Sequence, residues 1–309
     1  MSRRSRLRFP ALILGMVCLA PADAETFRVA TYNVENYLAQ PTESRPHIKS
    51  EAARAKVRES IQVLNPDVLA LEEMGGTNEL RELRNALKAR GLDYPDWEFV
   101  CAMDTNIHVA VLSKLPIVAR RPHTNDNFLL DGKRFQVKRG FAELDIQAAT
   151  NFIFTLLAAH LKSHLAAPEA DEAEERLGEA KVLREIIDAR LAQEPGARLI
   201  VLGDFNDTKD SASTREIIGR GKFKLIDTHP AEHNGDTARG EPPYFEPRNV
   251  AWTYFYGKND TYSRIDFILL SPALKPNWLP GETLIPAVPN WGAGSDHRPI
   301  VAGFETDAK

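Results

Sequence analysis

The chain has 309 residues, of which 43% are hydrophobic and 27% are charged, and its formal net charge is −4 at pH 7. This composition is ordinary for a soluble globular protein. The acidic balance argues against a protein that coats nucleic acid through bulk positive charge, so a phosphate substrate would have to be met locally, by a metal ion or a few basic side chains.

The first 24 residues have the composition of an export signal. Four arginines surround the start of the short apolar run PALILGMVCLA, and Ala22-Asp23-Ala24 forms an A-x-A cleavage site. We therefore predict a signal peptide at 1–24 and an exported protein, periplasmic or extracellular, that begins at Glu25. The apolar run is too short for an ordinary membrane span, so we expect no stable membrane anchor. Cleavage removes the four arginines and Asp23, which takes the formal charge from −4 to −7.

Only one cysteine, Cys101, follows the predicted cleavage site. A single cysteine cannot form an intrachain disulfide, so the exported protein must be stabilised by its hydrophobic core. Cys101 lies in the strand-like run WEFVCAM, and we predict that it is a small buried hydrophobic residue.

Predicted strands and helices alternate along the rest of the chain. Apolar spacing and stop signals predict helices at 50–64, 77–89 and 171–191. Runs of apolar residues predict strands at 27–32, 68–74, 97–103, 107–112, 141–146, 152–160, 198–204, 251–256, 263–270 and 298–305. Several strands follow one another with no helix between them, which favours two mixed sheets packed face to face over a doubly wound parallel sheet. We expect 25–309 to form one α/β domain, with 227–249 as a long functional loop.

Carboxylates and amides follow three of the predicted strands. Asp204 and Asn206 come after an apolar strand and are two residues apart, so an extended backbone would point both side chains to one side. Asn33 and Glu35 have the same spacing beyond the first strand. Glu73, rather than its neighbour, shares the strand face of the preceding leucines. Each of these could also be structural, as an Asx turn, a cap or a solvated strand end.

Histidines and basic side chains occupy similar positions. His160 ends an apolar strand and is followed two residues later by Lys162. Asp266 lies within an apolar strand, where an unpaired carboxylate is costly, so it needs a partner such as a histidine or Arg264. The stretch GSDHRPI places Asp296 and His297 side by side at a junction of loop and strand.

Together these residues indicate an oxygen-rich site for a hard divalent cation such as Mg²⁺ or Mn²⁺. No cysteine–histidine cluster and no H-E-x-x-H motif is present, which disfavours a zinc protease. A G-x-S-x-G motif and a Walker glycine loop are also missing from the sequence. An aspartate paired with a histidine can hold the imidazole in one tautomer and raise its basicity.

The order of these motifs resembles the endonuclease/exonuclease/phosphatase superfamily, the fold of DNase I-like nucleases, and in particular its secreted bacterial members. The segments that carry the resemblance are TYN, LEE, AAHL, GDFN, RIDFILLS and GSDHRPI, which span Thr31 to Ile300. The one departure is Glu72, where the family has glutamine, and we expect this side chain to face away from the site. The resemblance implies a four-layer α/β sandwich with a cleft at one edge.

The resemblance also implies a role for each site residue. It implies Mg²⁺ as the cofactor, with Mn²⁺ or Ca²⁺ as alternatives, bound by Glu73, Asp296, Glu35 and Asn33. It implies His297 as general base or phosphate contact, held by Asp266, with Asp204 and Asn206 orienting the attacking water and His160 stabilising charge on the phosphate. The predicted substrate contacts are Asn33, Asn206, His160, Arg139 and Lys162, although the last two could be plain surface charges.

We therefore expect an exported, metal-dependent phosphodiesterase, in the first place a monomeric nuclease. The basic segment Lys133, Arg134, Lys138 and Arg139 could line a nucleic-acid groove. A sphingomyelinase-like or inositol-phosphate phosphoesterase is the alternative. A non-catalytic binding module is disfavoured because every motif residue of the site is present.

Overall fold

Two six-stranded mixed sheets form the centre of the computed structural model, which describes residues 24–42, 44–166, 168–233 and 249–307. The strands of the first sheet, in spatial order, are β15 (Trp278–Leu284), β16 (Ile300–Glu305), β1 (Thr26–Tyr37), β2 (Val68–Met74), β4 (His108–Ser113) and β3 (Asp96–Val100). Those of the second sheet are β11 (Ile226–Asp227), β14 (Asp266–Leu270), β10 (Leu199–Asp204), β9 (Phe152–His160), β8 (Phe141–Ala149) and β5 (Ile117–Arg120).

Each sheet contains one parallel pair among antiparallel neighbours. β1 runs parallel to β2, and β9 runs parallel to β10. Two hairpins lie outside the sheets, namely β6 (Asn127–Leu130) with β7 (Lys133–Gln136), and β12 (Tyr254–Tyr256) with β13 (Thr261–Ser263).

The helices form the two outer layers. They are α1 (Glu51–Leu64), α2 (Thr77–Lys88), α3 (Glu172–Gln193) and α4 (Ala212–Ile218), with short 3₁₀ turns at Gly221–Phe223, Pro272–Asn277 and Trp291–Ala293. Side-chain caps set three of the starts, because Ser50, Asp171 and Ser211 each accept a hydrogen bond from a backbone N–H of the first turn. The observed bounds confirm the helix predictions at 50–64, 77–89 and 171–191 to within two residues.

Three hydrophobic clusters hold the layers together. One lies between the sheets and joins residues such as Val29 and Val111 of the first sheet to Leu156 and Ile268 of the second. Another packs the first sheet against α1 and α2, and the last packs the second sheet against α3 and α4. Burial of these apolar faces is the main driving force for the architecture. The predicted sandwich of two mixed sheets flanked by helices is confirmed.

The structure corrects one burial prediction. Cys101 is exposed, because β3 ends at Val100 and the following residues leave the sheet. The predicted signal peptide and 234–248, most of the predicted long loop, lie outside the described residues apart from Ala24. Among the helices that the structure describes, none is long and apolar enough to cross a membrane.

Candidate active site

Strand direction brings the predicted motifs to one edge of the sandwich. β1, β2, β9 and β10 all end at this edge, while β14 and β16, which are antiparallel to their neighbours, begin there. Asp204 at the end of β10 pairs with Asp266 at the start of β14, and with His160 at the end of β9. The strand ends together form a cleft of about 620 Å³, whose lining includes residues as far apart in the chain as Glu35 and His297.

His297 lines the cleft, and its partner Asp266 is buried behind it. His297 Nδ1 lies 2.9 Å from Asp266 Oδ2, and His297 Nε2 lies 3.7 Å from Asp204 Oδ2. Burial alone would lower the pKa of His297, but the carboxylates of Asp266 and Asp204 raise it well above its ordinary value. Nδ1 is thus occupied by Asp266, and Nε2 is the ring nitrogen on the side of Asp204, which lines the cleft.

Asp204 is the hub of the polar contacts. Its Oδ2 accepts a hydrogen bond of 2.9 Å from Asn33 Nδ2, and its Oδ1 accepts one of 2.8 Å from the backbone N–H of Asn206. Burial raises its pKa to about 7, although the charge of His297 opposes the shift. Gly203 permits this packing, since a Cβ there would lie 1.9 Å from the Ala159 carbonyl oxygen.

Asn206 reaches the site by a different backbone path from the predicted extended one. Its φ is 53°, and its N–H bond to Asp204 forms an Asx turn. The side chain donates to the Leu161 carbonyl oxygen at 3.0 Å and still lines the cleft. The functional prediction and the structural alternative therefore describe the same turn.

His160 lies beneath Asp204 and does not itself line the cleft. Its Nε2 is 3.5 Å from Asp204 Oδ2, and its side chain is buried. Burial lowers its pKa well below the ordinary value, and the positive charges of Arg139 and His297 lower it further. His160 is therefore a neutral imidazole whose nearest contact is the aspartate.

The three carboxylates predicted as metal ligands, Glu35, Glu73 and Asp296, line the same cleft. Asn36, which sequence reasoning missed, donates its backbone N–H to Glu73 Oε2 at 2.8 Å. Burial raises the pKa of Asp296 to about 6, and the charges of the two glutamates add to the increase. A cation would relieve this crowding of carboxylates.

The local backbone turns these ligands towards the cleft. Glu73 has φ 61° and Glu35 has φ 44°, and the register between β1 and β2 shifts at this point. Asn33 keeps its place in the strand, is buried, and lies with its Nδ2 3.4 Å from Glu73 Oε1. Simple alternation along an extended strand therefore did not decide these orientations.

The donor set fits a hard cation. Besides the three carboxylates, the amide oxygen of Asn36 is buried without a hydrogen-bond partner, and this residue also lines the cleft. Carboxylate and amide oxygens are the ligands that Mg²⁺ and Ca²⁺ prefer. Elsewhere in the cleft, Asp204, Asp266 and His297 have ligand atoms within 4.8 Å of one another and could also hold a metal ion.

Arg139 and Lys162 differ in their relation to the cleft. Arg139 lines it and donates to the Leu161 carbonyl oxygen at 2.8 Å. Lys162 does not line it, because its ammonium donates to the carbonyl oxygens of Ser163 and Leu165 and so closes the loop after β9. The basic segment is also divided, since Lys138 forms an ion pair of 2.9 Å with Glu175 on α3.

The expectation for Glu72 is wrong. The side chain points between the sheets, on the face of β2 that carries Val68 and Ala70, and Thr31 Oγ1 donates to it at 2.6 Å. It is fully buried, and burial raises its pKa well above the ordinary value, with further increases from Asp266 and Asp204. Glu72 therefore lies under the site rather than away from it.

Aromatic residues that sequence reasoning missed form one side of the cleft. Tyr254 and Tyr256, on the hairpin of β12 and β13, both line it. Their rings are 6.4 Å apart, and the Tyr254 ring lies 4.8 Å from that of His297. The alternation in the sequence WTYFY places both tyrosines on one strand face, which is the signal that could have identified them.

Comparisons with known proteins agree with this geometry. A sequence model of the Endonuclease/Exonuclease/phosphatase family matches residues 30–297. Truncated TDP2 from Caenorhabditis elegans superposes with a TM-score of 0.57 at 19% identity, covering 91% of this chain and 98% of that one. The human Nocturnin catalytic domain gives 0.60 at 14% identity, with coverage of 93% and 98%.

Sphingomyelinase C from Streptomyces griseocarneus gives a TM-score of 0.60 at 18% identity, covering 91% of this chain and 99% of that one. No curated protein gave a sequence match. At identities this low, the superpositions establish the DNase I-like fold alone. The family model, in contrast, matches most of the chain. The chain therefore belongs to the Endonuclease/Exonuclease/phosphatase family, whose named reactions all cleave phosphoester bonds, and it is a phosphoester hydrolase.

Proposed function

We propose that the protein is an exported, divalent-metal-dependent phosphodiesterase that cleaves nucleic acid by attack of water. The observation that carries the proposal is that His297, paired with Asp266, lines the same cleft as a set of carboxylates. A base on one side of a phosphate and a cation on the other are the two requirements of this hydrolysis.

His297 would act as the general base. Asp266 accepts a hydrogen bond from Nδ1, which makes Nε2 the nitrogen that takes a proton from water once the imidazolium has released its own. Asp204 and Asn206 would orient that water from the neighbouring strand end. A positioned base of this kind contributes on the order of 10²–10⁴ in rate.

Glu73, Asp296 and Glu35 would hold the cation, with Asn33 and Asn36 supporting them. Mg²⁺ is the first expectation, and Mn²⁺ and Ca²⁺ suit the same oxygen donors. The bound cation would stabilise the negative charge that develops on the phosphoryl and leaving oxygens. Arg139 would add a fixed positive charge beside the phosphate. His160 would act through Asp204 to stabilise the charge that develops on the phosphate.

Nucleic acid is favoured as the substrate because two tyrosine rings line the cleft. Bases stack on aromatic side chains with little sequence preference, and Tyr254 and Tyr256 offer such faces beside the phosphate position. The family name includes endonucleases and exonucleases, and TDP2 and Nocturnin share the fold.

A sphingomyelinase-like activity is the second candidate. The hairpin of β12 and β13 carries two exposed rings, with Tyr256 at 36% and Tyr262 at 58% accessibility. Such rings suit the surface of a bilayer. The fold shared with sphingomyelinase C is compatible with it. An inositol-phosphate phosphoesterase would need no such surface.

Export rests on the sequence of residues 1–24 and is proposed on that basis. Expression of the full chain with its first 24 residues intact, followed by fractionation and N-terminal sequencing, tests it. We expect the exported form to begin at Glu25. Retention of an intact N-terminus in the cytoplasm would contradict export.

The central experiment uses protein lacking residues 1–24. We expect hydrolysis of bis-p-nitrophenyl phosphate and nicking of plasmid DNA with Mg²⁺ or Mn²⁺, and neither reaction in EDTA. His297→Ala should abolish both reactions, whereas His229→Ala, an exposed histidine outside the cleft lining, should abolish neither. Turnover of sphingomyelin vesicles with no DNA cleavage would instead establish the second candidate, and metal binding without any turnover would indicate a binding module.

A further inference from the structure

A group of exposed cations lies next to the cleft, on the outer side of the second sheet. Its members, here called the basic ridge, are Lys209, Arg215, Arg220, Lys222 and Lys224, and all five are exposed. The mature chain is acidic overall, so a local concentration of positive charge is not a consequence of composition. It calls for a separate explanation.

The ridge continues directly from the cleft. Thr208 lines the cleft, and the next residue, Lys209, lines a neighbouring cavity together with Arg215 and Arg220. A further cavity contains Lys222 and shares Arg215 and Arg220 with the previous one. The three concave surfaces therefore follow one another from the catalytic groups along α4.

Few acids lie beside the ridge in the part of the chain that the structure describes. Among the ion pairs of the described residues, none includes a member of the ridge. Four acids line the same two cavities, but Asp188 is bound to Arg184, and Asp227 lies 2.6 Å from Arg264. Among the described residues, the five ridge cations thus share their two cavities with two carboxylates that form no ion pair, Asp210 and Glu216.

The ridge is also held firmly to the catalytic strand. Asp207, three residues after Asp204, accepts hydrogen bonds from Arg176 at 3.1 Å and from Ser213 at 3.0 Å. Ser211 caps α4 and donates its backbone N–H to the Thr208 carbonyl oxygen at 3.1 Å. These contacts fix the distance between the ridge and the catalytic groups.

We propose that the basic ridge binds the phosphate backbone of a polynucleotide strand whose scissile phosphodiester lies in the cleft. The inference rests on the proposed phosphodiesterase activity and names its substrate as a polymer. The seven residues of α4 span about 10 Å at ~1.5 Å per residue, so the ridge reaches phosphates beyond the scissile one. A small phosphoester bound in the cleft would not extend to it.

The test compares two triple variants that remove the same charge. The ridge variant is Arg215→Gln, Arg220→Gln and Lys222→Gln. The control variant is Arg81→Gln, Arg90→Gln and Lys275→Gln, which are exposed cations outside all three cavities. Substrates are bis-p-nitrophenyl phosphate and a 30-nucleotide single strand, each assayed across a range of salt concentrations.

We expect the ridge variant to lose about tenfold or more in kcat/KM on the 30-mer at low salt and to keep its rate on the small ester. The slope of log(kcat/KM) against log[salt] should fall by about 2, since each lost phosphate contact removes about 0.7 for a single strand. The control variant should keep at least most of the slope. Equal slopes in the wild type and the ridge variant would overturn the proposal.

A binding measurement separates this proposal from the catalytic one. Fluorescence anisotropy measures the affinity of His297→Ala for the labelled 30-mer, with and without the ridge substitutions. Because this variant should not cleave the strand, the measurement separates binding from turnover. Ridge-dependent binding supports the proposal even where hydrolysis is not observed. Hydrolysis of the small ester without ridge-dependent binding would overturn it and leave the phosphodiesterase intact. Ridge-dependent binding of phosphatidylserine vesicles but not of the 30-mer would also overturn it, in favour of a membrane surface.

Discussion

The hydrogen bond between His297 and Asp266 joins the two sheets. His297 precedes β16 of the first sheet, Asp266 begins β14 of the second, and Nδ1 lies 2.9 Å from Oδ2. The proposed base and the carboxylate that would orient it are thus supplied by different sheets. Packing between the sheets, rather than local sequence, therefore sets the distance between these two side chains.

Asp266→Asn should lower kcat about 10²–10⁴-fold on bis-p-nitrophenyl phosphate, because an amide no longer fixes the tautomer in which Nε2 is the proton acceptor or supports the basicity of the ring. Asp188→Asn, an exposed aspartate on α3, is the matched control and should keep full activity. Thermal unfolding of both variants excludes a folding defect. Wild-type kcat in Asp266→Asn would contradict the assignment.

Glu73→Gln and Asp296→Asn should each raise the Mg²⁺ concentration needed for half-maximal activity, by about tenfold or more, since each removes a charged oxygen from the proposed cation site. Titration calorimetry with Mn²⁺ measures the same loss without turnover. Glu185→Gln, an exposed glutamate on α3, serves as control. Unchanged metal affinity in both site variants would locate the cation elsewhere, for example at Asp204, Asp266 and His297.

Glu72→Gln should stabilise the protein, and more so at higher pH. Burial raises the pKa of Glu72, so the folded state keeps a proton that the unfolded chain releases above its ordinary pKa of about 4.3. The free energy of unfolding of the wild type therefore falls as pH rises above that value, and glutamine removes the penalty. Urea unfolding at pH 5 and pH 8 should show the larger gain at pH 8. A gain that is greater at pH 5 would contradict a neutral buried carboxyl.

His123 should stabilise the fold mainly at low pH. The hydrogen bond to Glu143 at 2.9 Å raises its pKa, and Asp126 at 3.1 Å adds to the increase. A raised pKa gives stability that is fully present below the ordinary value of about 6.5 and is lost as pH rises through the folded value. His123→Gln should therefore lower the free energy of unfolding by about 1 kcal/mol at pH 5.5 and by less at pH 9. His47→Gln, a substitution at an exposed histidine, serves as the control.

Much of the site could be predicted because its residues follow apolar strands. The runs before Asp204 and His160 identified two strand ends, and parallel strands end at the same edge of a sheet. The adjacent Asp296 and His297 were placed at the start of a strand by the glycine loop and Pro299. These signals are local, so periodicity alone carries them.

Alternation failed where the backbone leaves the extended conformation. Positive φ angles at Glu35, Glu73 and Asn206 turn their side chains, and no pattern in the sequence reports them. Glu72 was misassigned for a related reason, since the strand face that meets the second sheet, not the leucine face, lies beneath the site.

The sequence by itself determined which chemical groups the protein has, where most of its helices and central strands lie along the chain, and the family to which it belongs. The tertiary structure alone decided which of these groups meet: it paired His297 with Asp266 across the sheets, withdrew the Lys162 ammonium from the cleft, and grouped the basic ridge beside it. The pairing of His297 with Asp266 joins the two sheets and depends on their packing and register, which local propensity does not encode.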